Sequence, residues 1–85
     1  MRKSSFAERV REVVRKIPKG KTLSYGEVAE AAEHPGAARA VGTIMKNNHD
    51  PLVPCHRVIR SDGSLGAYNR GTARKRALLK AEGAI

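Results

Sequence analysis

Two capping motifs, each followed by a short apolar periodic segment, constrain the fold of this chain most strongly. Ser5 precedes Glu8 by three residues, and Ser24 precedes Glu27 in the same way, which is the pattern of a capping box at a helix N-terminus. In the first segment apolar residues recur on one helical face and charged residues fill the other. Because proline and glycine follow each segment, short amphipathic helices with abrupt ends are expected.

The spacing predicts four helices, over residues 5–16, from after Ser24 to 32, over 37–46 and over 72–81. The second and third are joined by a short turn, which is typical of a helix-turn-helix, although any helical hairpin gives the same pattern. In the last helix we expect an apolar face of Ala77, Leu78 and Ala81, and a solvent face of Arg74, Lys75 and Arg76.

The stretch between the third and the last helix is predicted to be mostly extended or looped. Pro54 pushes the residue before it toward extended geometry, which disfavours one regular helix there. Residues 61–64 form a turn cluster, and the glycines that follow indicate a loop open to close approach by another group. The fold class is therefore mainly α, with an extended segment and little β.

The charge of the chain points to a polyanionic partner. The 85 residues carry 17 Lys and Arg against 8 Asp and Glu, a formal net charge of +9. Lys and Arg that neutralise phosphates release condensed counterions, so nucleic acid is the favoured partner. The alternative is that the charge serves solubility alone. The length fits one domain.

Several classes of protein are disfavoured by what the sequence lacks. A single cysteine excludes an internal disulfide framework and, with three scattered histidines, argues against a cysteine-based zinc site, so no metal is expected. Apolar runs are far shorter than the ~20 residues that cross a bilayer, and no secretory signal is present, so a cytoplasmic, membrane-free protein is expected. The sequence has none of the apolar heptads that would indicate a dimer, so a monomer is expected.

The run Pro54-Cys55-His56-Arg57 carries the densest chemistry. A thiol is a nucleophile only as its thiolate, and a free thiol has a pKa of ~8.5, so Cys55 needs a base or a cation. His56 is the adjacent base, and the acids that could orient it are Asp50, Asp62 and Glu82. The alternative is that Cys55 is a small buried hydrophobic residue.

The segment Val-Pro-Cys-His-Arg-Val-Ile over residues 53–59 resembles the active-site signature of the O6-alkylguanine-DNA alkyltransferases. The resemblance continues in the same order through residues 24–29, 36–42, 61–66 with Tyr68, and 75–83. It implies a winged-helix-like helix-turn-helix domain that repairs DNA. Members of this family flip an alkylated guanine out of the duplex and move its alkyl group irreversibly to their own cysteine, once per molecule.

The resemblance also implies roles for single residues. Cys55 corresponds to the alkyl acceptor, His56 to a base acting through a water, and Glu82 to the acid that orients the imidazole. Asn48 corresponds to the residue that ties the helix-turn-helix to the active-site segment. No cofactor is implied.

The implied partner is double-stranded DNA carrying alkylated guanine, bound in the minor groove with little sequence specificity. Tyr25 corresponds to the tyrosine that rotates the target nucleotide, and Arg39 to the arginine that fills the space the base leaves. The backbone at Cys55 and Val58 would read the guanine edge, and the loop at Tyr68 would close the base pocket. The remaining contacts to DNA or base are assigned to Ala37, Ala38, Gly42, Arg57 and Asn69.

The sequence departs from the larger family members because residues 1–85 read as one domain with no separate N-terminal domain. The related alkyltransferase-like proteins are also short, but they replace the nucleophile, usually with tryptophan. Since Cys55 is retained, a methyltransferase is the expected activity, and a non-catalytic lesion sensor is the alternative. A plain helix-turn-helix regulator would have no need of the Pro54-Cys55-His56-Arg57 run.

Overall fold

The computed structural model describes residues 5–50, 52–66 and 71–85, and within these ranges the chain is mainly helical. The helices are α1 (Phe6–Arg15), α2 (Tyr25–Ala31), α3 (Ala38–Lys46) and α4 (Thr72–Ala81). There are two strands of two residues each: β1 (Leu23–Ser24) directly precedes α2, and β2 (Val58–Ile59) directly follows a 3₁₀ turn at Cys55–Arg57. The predicted mainly α class with little β is confirmed, and helix bounds agree with the sequence to within one or two residues.

The predicted capping box forms in full at α2, whereas at α1 only the bond to the Ser5 side chain forms. The Ser5 side chain accepts a hydrogen bond from the Glu8 backbone N–H at 3.1 Å. At α2 the box is reciprocal: the Ser24 hydroxyl accepts from the Glu27 N–H at 3.0 Å, and the Glu27 carboxylate accepts from the Ser24 N–H at 2.8 Å. These bonds satisfy donors that the first turn of a helix otherwise leaves open, and so they fix where α1 and α2 begin.

The core lies between α1 and the α2–α3 pair, which pack closely on each other. The apolar face predicted for α1 is confirmed, since Val10, Val14 and Ile17 are buried. The α2–turn–α3 hairpin seen here is the helix-turn-helix predicted from the sequence. The buried cluster extends from these helices into the segment around the cysteine, and its members are Val10, Val14, Ile17, Val28, Ala29, Ala32, Val41, Met45, Val53, Cys55 and Val58.

A minimal parallel sheet connects the helix-turn-helix to the cysteine segment. β1 pairs with β2 in the register Leu23 to Val58 and Ser24 to Ile59. After β2 the chain turns back on itself, with Arg60 N–H donating to the Ser64 carbonyl at 2.9 Å and Asp62 accepting from the Ser64 N–H at 2.9 Å. This confirms the predicted turn at residues 61–64.

The predicted apolar face of α4 is wrong, and of its predicted solvent face Arg74 and Arg76 are exposed as expected but Lys75 is not. Lys75 and Leu79 are both completely buried, whereas Ala77 and Ala81 are exposed and Leu78 is only partly buried. Residues four apart share a helical face, so Lys75 follows Leu79 into the interior. No helix in the described part of the chain is long and apolar enough to cross a membrane.

Candidate active site

Cys55 begins the 3₁₀ turn and is 7% exposed. The turn is closed by two short backbone bonds, from Cys55 N–H to the Val53 carbonyl at 2.8 Å and from Arg57 N–H to the Pro54 carbonyl at 2.9 Å. Cys55 thus lies at the edge of the hydrophobic core, as expected for a structural cysteine as well as for a shielded nucleophile. The groups around it decide what chemistry it can perform.

Of the three acids considered for His56, the structure brings Glu82 to it. His56 Nε2 lies 3.0 Å from Glu82 Oε2, and both side chains are 12% exposed. Asp50 and Asp62 are occupied locally, Asp50 accepting from the Leu52 N–H and Asp62 from Ser64. Within the described residues, His56 Nδ1 makes no hydrogen bond, so this nitrogen can exchange a proton with a further group.

Arg57 completes this cluster, although the resemblance assigned it to DNA. Its Nε donates to Glu82 Oε1 at 2.9 Å and its Nη2 to Glu82 Oε2 at 2.7 Å, a bidentate pair. Its Nη1 donates to the carbonyl of Ile17 at 2.8 Å. The side chain of Arg57 therefore faces the protein, and it anchors Glu82 to the end of the first helical segment.

The ion pair fixes the charge of Glu82. The hydrogen bonds from Arg57 are the main cause that lowers the pKa of Glu82 to about 2, with burial opposing and His56 adding to the effect. The same bonds raise the pKa of Arg57 above its usual range. Glu82 is thus ionised at neutral pH and presents a permanent acceptor to His56.

Asn48 connects the end of α3 to the segment that leads to Cys55. It is buried, and its Nδ2 donates to the carbonyls of Asp50 at 3.3 Å and Val53 at 3.4 Å. Because the Val53 carbonyl also accepts from the Cys55 N–H, one side chain links the helix-turn-helix to the 3₁₀ turn. The role in the active site that the resemblance implied for Asn48 stays a prediction.

Tyr25 and Lys75 meet beside the cysteine segment. Lys75 Nζ donates to the Tyr25 hydroxyl at 3.4 Å and lies 5.6 Å from the centre of the ring. Burial raises the pKa of Tyr25 above 10.0 and lowers the pKa of Lys75 to about 8. The sequence analysis placed Lys75 in solvent. The signal that could have predicted its burial is its position four residues before Leu79.

A basic groove of about 610 Å³ runs beside Tyr25. Of the residues assigned to DNA, the structure brings Tyr25, Ala38, Arg39 and Gly42 together in its wall. The sequence analysis did not single out the other two cations of this wall, Lys46 and Arg60. The lining is Tyr25, Gly26, Ala38, Arg39, Gly42, Thr43, Lys46, Arg60, Ser61 and Asp62.

Of the remaining residues predicted to contact DNA or the base, two lie in or against the core and two lie outside the described residues. Ala37 is the N-terminal flanking residue of α3 and packs partly against the core, and Val58 is fully buried in β2. Tyr68 and Asn69 lie outside the described residues. Among those described, no three His, Cys, Asp or Glu side chains are grouped to hold a metal ion.

Fold and site together define a class: a helix-turn-helix domain with a basic groove and with a cysteine that is followed by a histidine held in a cluster with a glutamate and an arginine. Residues 5–84 match the family model for the DNA-binding domain of 6-O-methylguanine DNA methyltransferase. The chain therefore belongs to this family of DNA-repair alkyltransferases.

The relatives are consistent with this assignment. The methylated-DNA–protein-cysteine methyltransferase of Mycobacterium tuberculosis is 49% identical over 85 residues, covering 96% of this chain and 50% of the relative. The chain thus spans about half the length of the curated relatives it matches. The crystal structure of M. tuberculosis OGT in complex with DNA superimposes with a TM-score of 0.88 at 49% identity, covering 95% of this chain and 50% of that one.

A second kind of neighbour is also similar. S. pombe Atl1, crystallised with damaged DNA containing O6-carboxymethylguanine, superimposes with a TM-score of 0.83 at 38% identity. The match covers 98% of this chain and 80% of that one.

Proposed function

We propose that this protein repairs O6-alkylguanine in duplex DNA by moving the alkyl group to Cys55 in a single turnover. The observation that carries the proposal is the 3.0 Å contact between His56, the residue after Cys55, and Glu82. A base that is held by an ionised acid and that directly follows a shielded thiol in the sequence is an arrangement suited to nucleophilic catalysis by cysteine. The relatives named as methylated-DNA–protein-cysteine methyltransferases support the same reaction.

The proton and electron movements follow from this arrangement. Glu82 accepts from His56 Nε2, and Nδ1 then takes the thiol proton through a water. The Cys55 thiolate attacks the alkyl carbon in line with the bond to O6. The S–C bond forms and the C–O6 bond breaks, the electron pair stays on the guanine, and the guanine takes up a proton. The thioether is stable, so the protein is consumed.

The groove beside Tyr25 is the proposed DNA surface. Small residues at Ala38 and Gly42 let α3 approach the minor groove, and Arg39 fills the gap left by the everted base. Tyr25 lies between this groove and the buried Lys75, where it can contact a base that has left the stack. The crystal structure of the M. tuberculosis relative with DNA supports a DNA-facing role for this fold.

The test is transfer of one methyl group to a defined peptide. After incubation with duplex DNA carrying O6-methylguanine, mass spectrometry should find one added methyl on the peptide that contains Cys55. The Cys55→Ser variant should bind the same duplex without any mass gain. An unmodified peptide with the lesion intact after long incubation contradicts the proposal.

The second candidate is a non-catalytic sensor of alkylated guanine, favoured by the similarity to S. pombe Atl1. A sensor binds the lesion duplex more tightly than undamaged duplex but gains no mass. The same experiment, with binding measured in parallel by fluorescence anisotropy, separates the two functions.

A further inference from the structure

A second groove lies where the end of α1, the strand β1 and the end of α2 meet. Its volume is about 420 Å³, within the range of sites that bind a ligand. Val13, Ile17 and Leu23 give it an apolar surface, and all three pack in or against the buried core. Because the close-packed core holds these side chains in place, the groove is part of the fold itself.

The charged side chains that line this apolar groove are both lysines, Lys16 and Lys21. Both are exposed, and the ammonium group of Lys16 reaches a carboxylate oxygen of Glu12 only at 3.9 Å. Lys21 forms no ion pair with the residues that the structure describes. Among those residues no carboxylate lines the groove, so its apolar surface stands beside positive charge alone.

The apolar groove is separate from the basic groove that we propose for DNA. The two share no lining residue. Tyr25 lines the basic groove and begins α2, whereas Ala31 lines the apolar groove and ends α2. These two positions are about 9 Å apart along the helix axis and about 120° apart around it. A molecule in the apolar groove would therefore leave the basic groove open.

We propose that the apolar groove docks a short segment of a partner protein that carries apolar side chains next to carboxylates. The apolar side chains fill the groove, and the carboxylates pair with Lys16 and Lys21. Nucleic acid fits less well, because no described aromatic side chain lines the groove for a base to stack on. A second copy of the chain also fits less well, because each copy carries a net charge of +9. Such docking would serve a methyltransferase and a lesion sensor alike, and so it goes beyond the proposed function.

The probe is a library of random peptides displayed on phage, selected on the whole chain with excess duplex DNA present to occupy the basic groove. We expect the selected peptides to combine apolar residues with Asp or Glu. Their affinity, measured by fluorescence anisotropy, should fall by ~10-fold or more in Ala31→Glu, which places a carboxylate and extra bulk in the groove. Ala77→Glu, at an exposed position of α4 outside the groove, is the matched control and should leave the affinity unchanged.

The two lysines are tested separately, so the result does not depend on whether Ala31→Glu folds. The double variant Lys16→Gln/Lys21→Gln should lower the affinity for the selected peptides ~5-fold, and this loss should shrink as salt is added. The double variant Arg74→Gln/Lys80→Gln removes the same charge from exposed positions of α4. It should change the affinity by less than about 2-fold.

Three results overturn the proposal. The first is that no selected peptide depends on Ala31 or on the two lysines, or that the peptides that do so lack carboxylates. The second is a dimer in sedimentation equilibrium that Ala31→Glu abolishes, which assigns the groove to a second copy. The third is a loss of duplex binding in Ala31→Glu that exceeds the loss in Ala77→Glu, which assigns the groove to nucleic acid. Because methyl transfer is not measured, failure of this docking and failure of the proposed function are separate results.

Discussion

Replacing Glu82 with glutamine isolates the energy of the cluster that orients His56. The carboxylate accepts from Arg57 and His56, and its pKa is lowered from 4.5 to about 2. A shift of that size corresponds to roughly 3 kcal/mol of stability at neutral pH. Water at the open side of the cluster screens part of it, so we expect Glu82→Gln to lower the free energy of unfolding by about 2 kcal/mol.

The dependence on pH distinguishes this effect from a loss of packing. Because the pKa of Glu82 is lower in the folded state, its contribution is complete above about pH 4.5 and is lost as the pH falls toward about 2. The difference in unfolding free energy between wild type and Glu82→Gln should therefore be largest at neutral pH and shrink through this window.

Urea denaturation followed by far-ultraviolet circular dichroism measures that difference at each pH. Glu30→Gln is the matched control, since Glu30 is exposed on α2, and its difference should stay within about 0.5 kcal/mol throughout. A difference for Glu82→Gln that is constant with pH, or below about 0.5 kcal/mol at neutral pH, refutes the assigned role of the ion pair.

Three further predictions concern other parts of the molecule. Ser24→Ala should cost ~1 kcal/mol in urea denaturation, because it removes the reciprocal cap of α2. Gly66→Ala should cost ~1–3 kcal/mol, since its φ is 72° and the new Cβ would lie 2.9 Å from the Tyr25 hydroxyl; Gly63→Ala, with φ 90° and no atom within 4 Å, should cost less. Arg60→Ala should reduce the slope of log K against log salt for duplex binding by about one, as expected for one lost phosphate contact, and an unchanged slope would exclude that contact.

Local signals in the sequence were sufficient to predict the helices but not the contacts by which the helices pack on one another. The caps at Ser5 and Ser24 depend on contacts three residues apart, so their pattern can be read directly. The faces of α4 were misassigned because Lys75 sits in an Arg-Lys-Arg run that resembles a solvent face. Its burial depends on neighbours distant in the chain.

The candidate site shows the same division. The Cys55–His56 dipeptide is visible in the sequence, and Glu82 was one of three possible acids. The choice among them is made by a contact 26 residues apart, and the fork from Arg57 to Glu82 spans 25. Neither separation carries a local signature. The strand pair of two residues each is also too short to predict.

The pairing of β1 with β2 fixes the distance between the helix-turn-helix and the cysteine segment. Tyr25 directly follows β1 and Cys55 precedes β2 by three residues, so two backbone pairs set how far the tyrosine sits from the sulfur. A slip of one residue would displace one relative to the other by about 3.3 Å, several times the ~0.5 Å tolerance of a reacting centre. A single inserted residue between positions 57 and 58 would leave α1 to α4 intact and still uncouple the position of Tyr25 from that of the thiol.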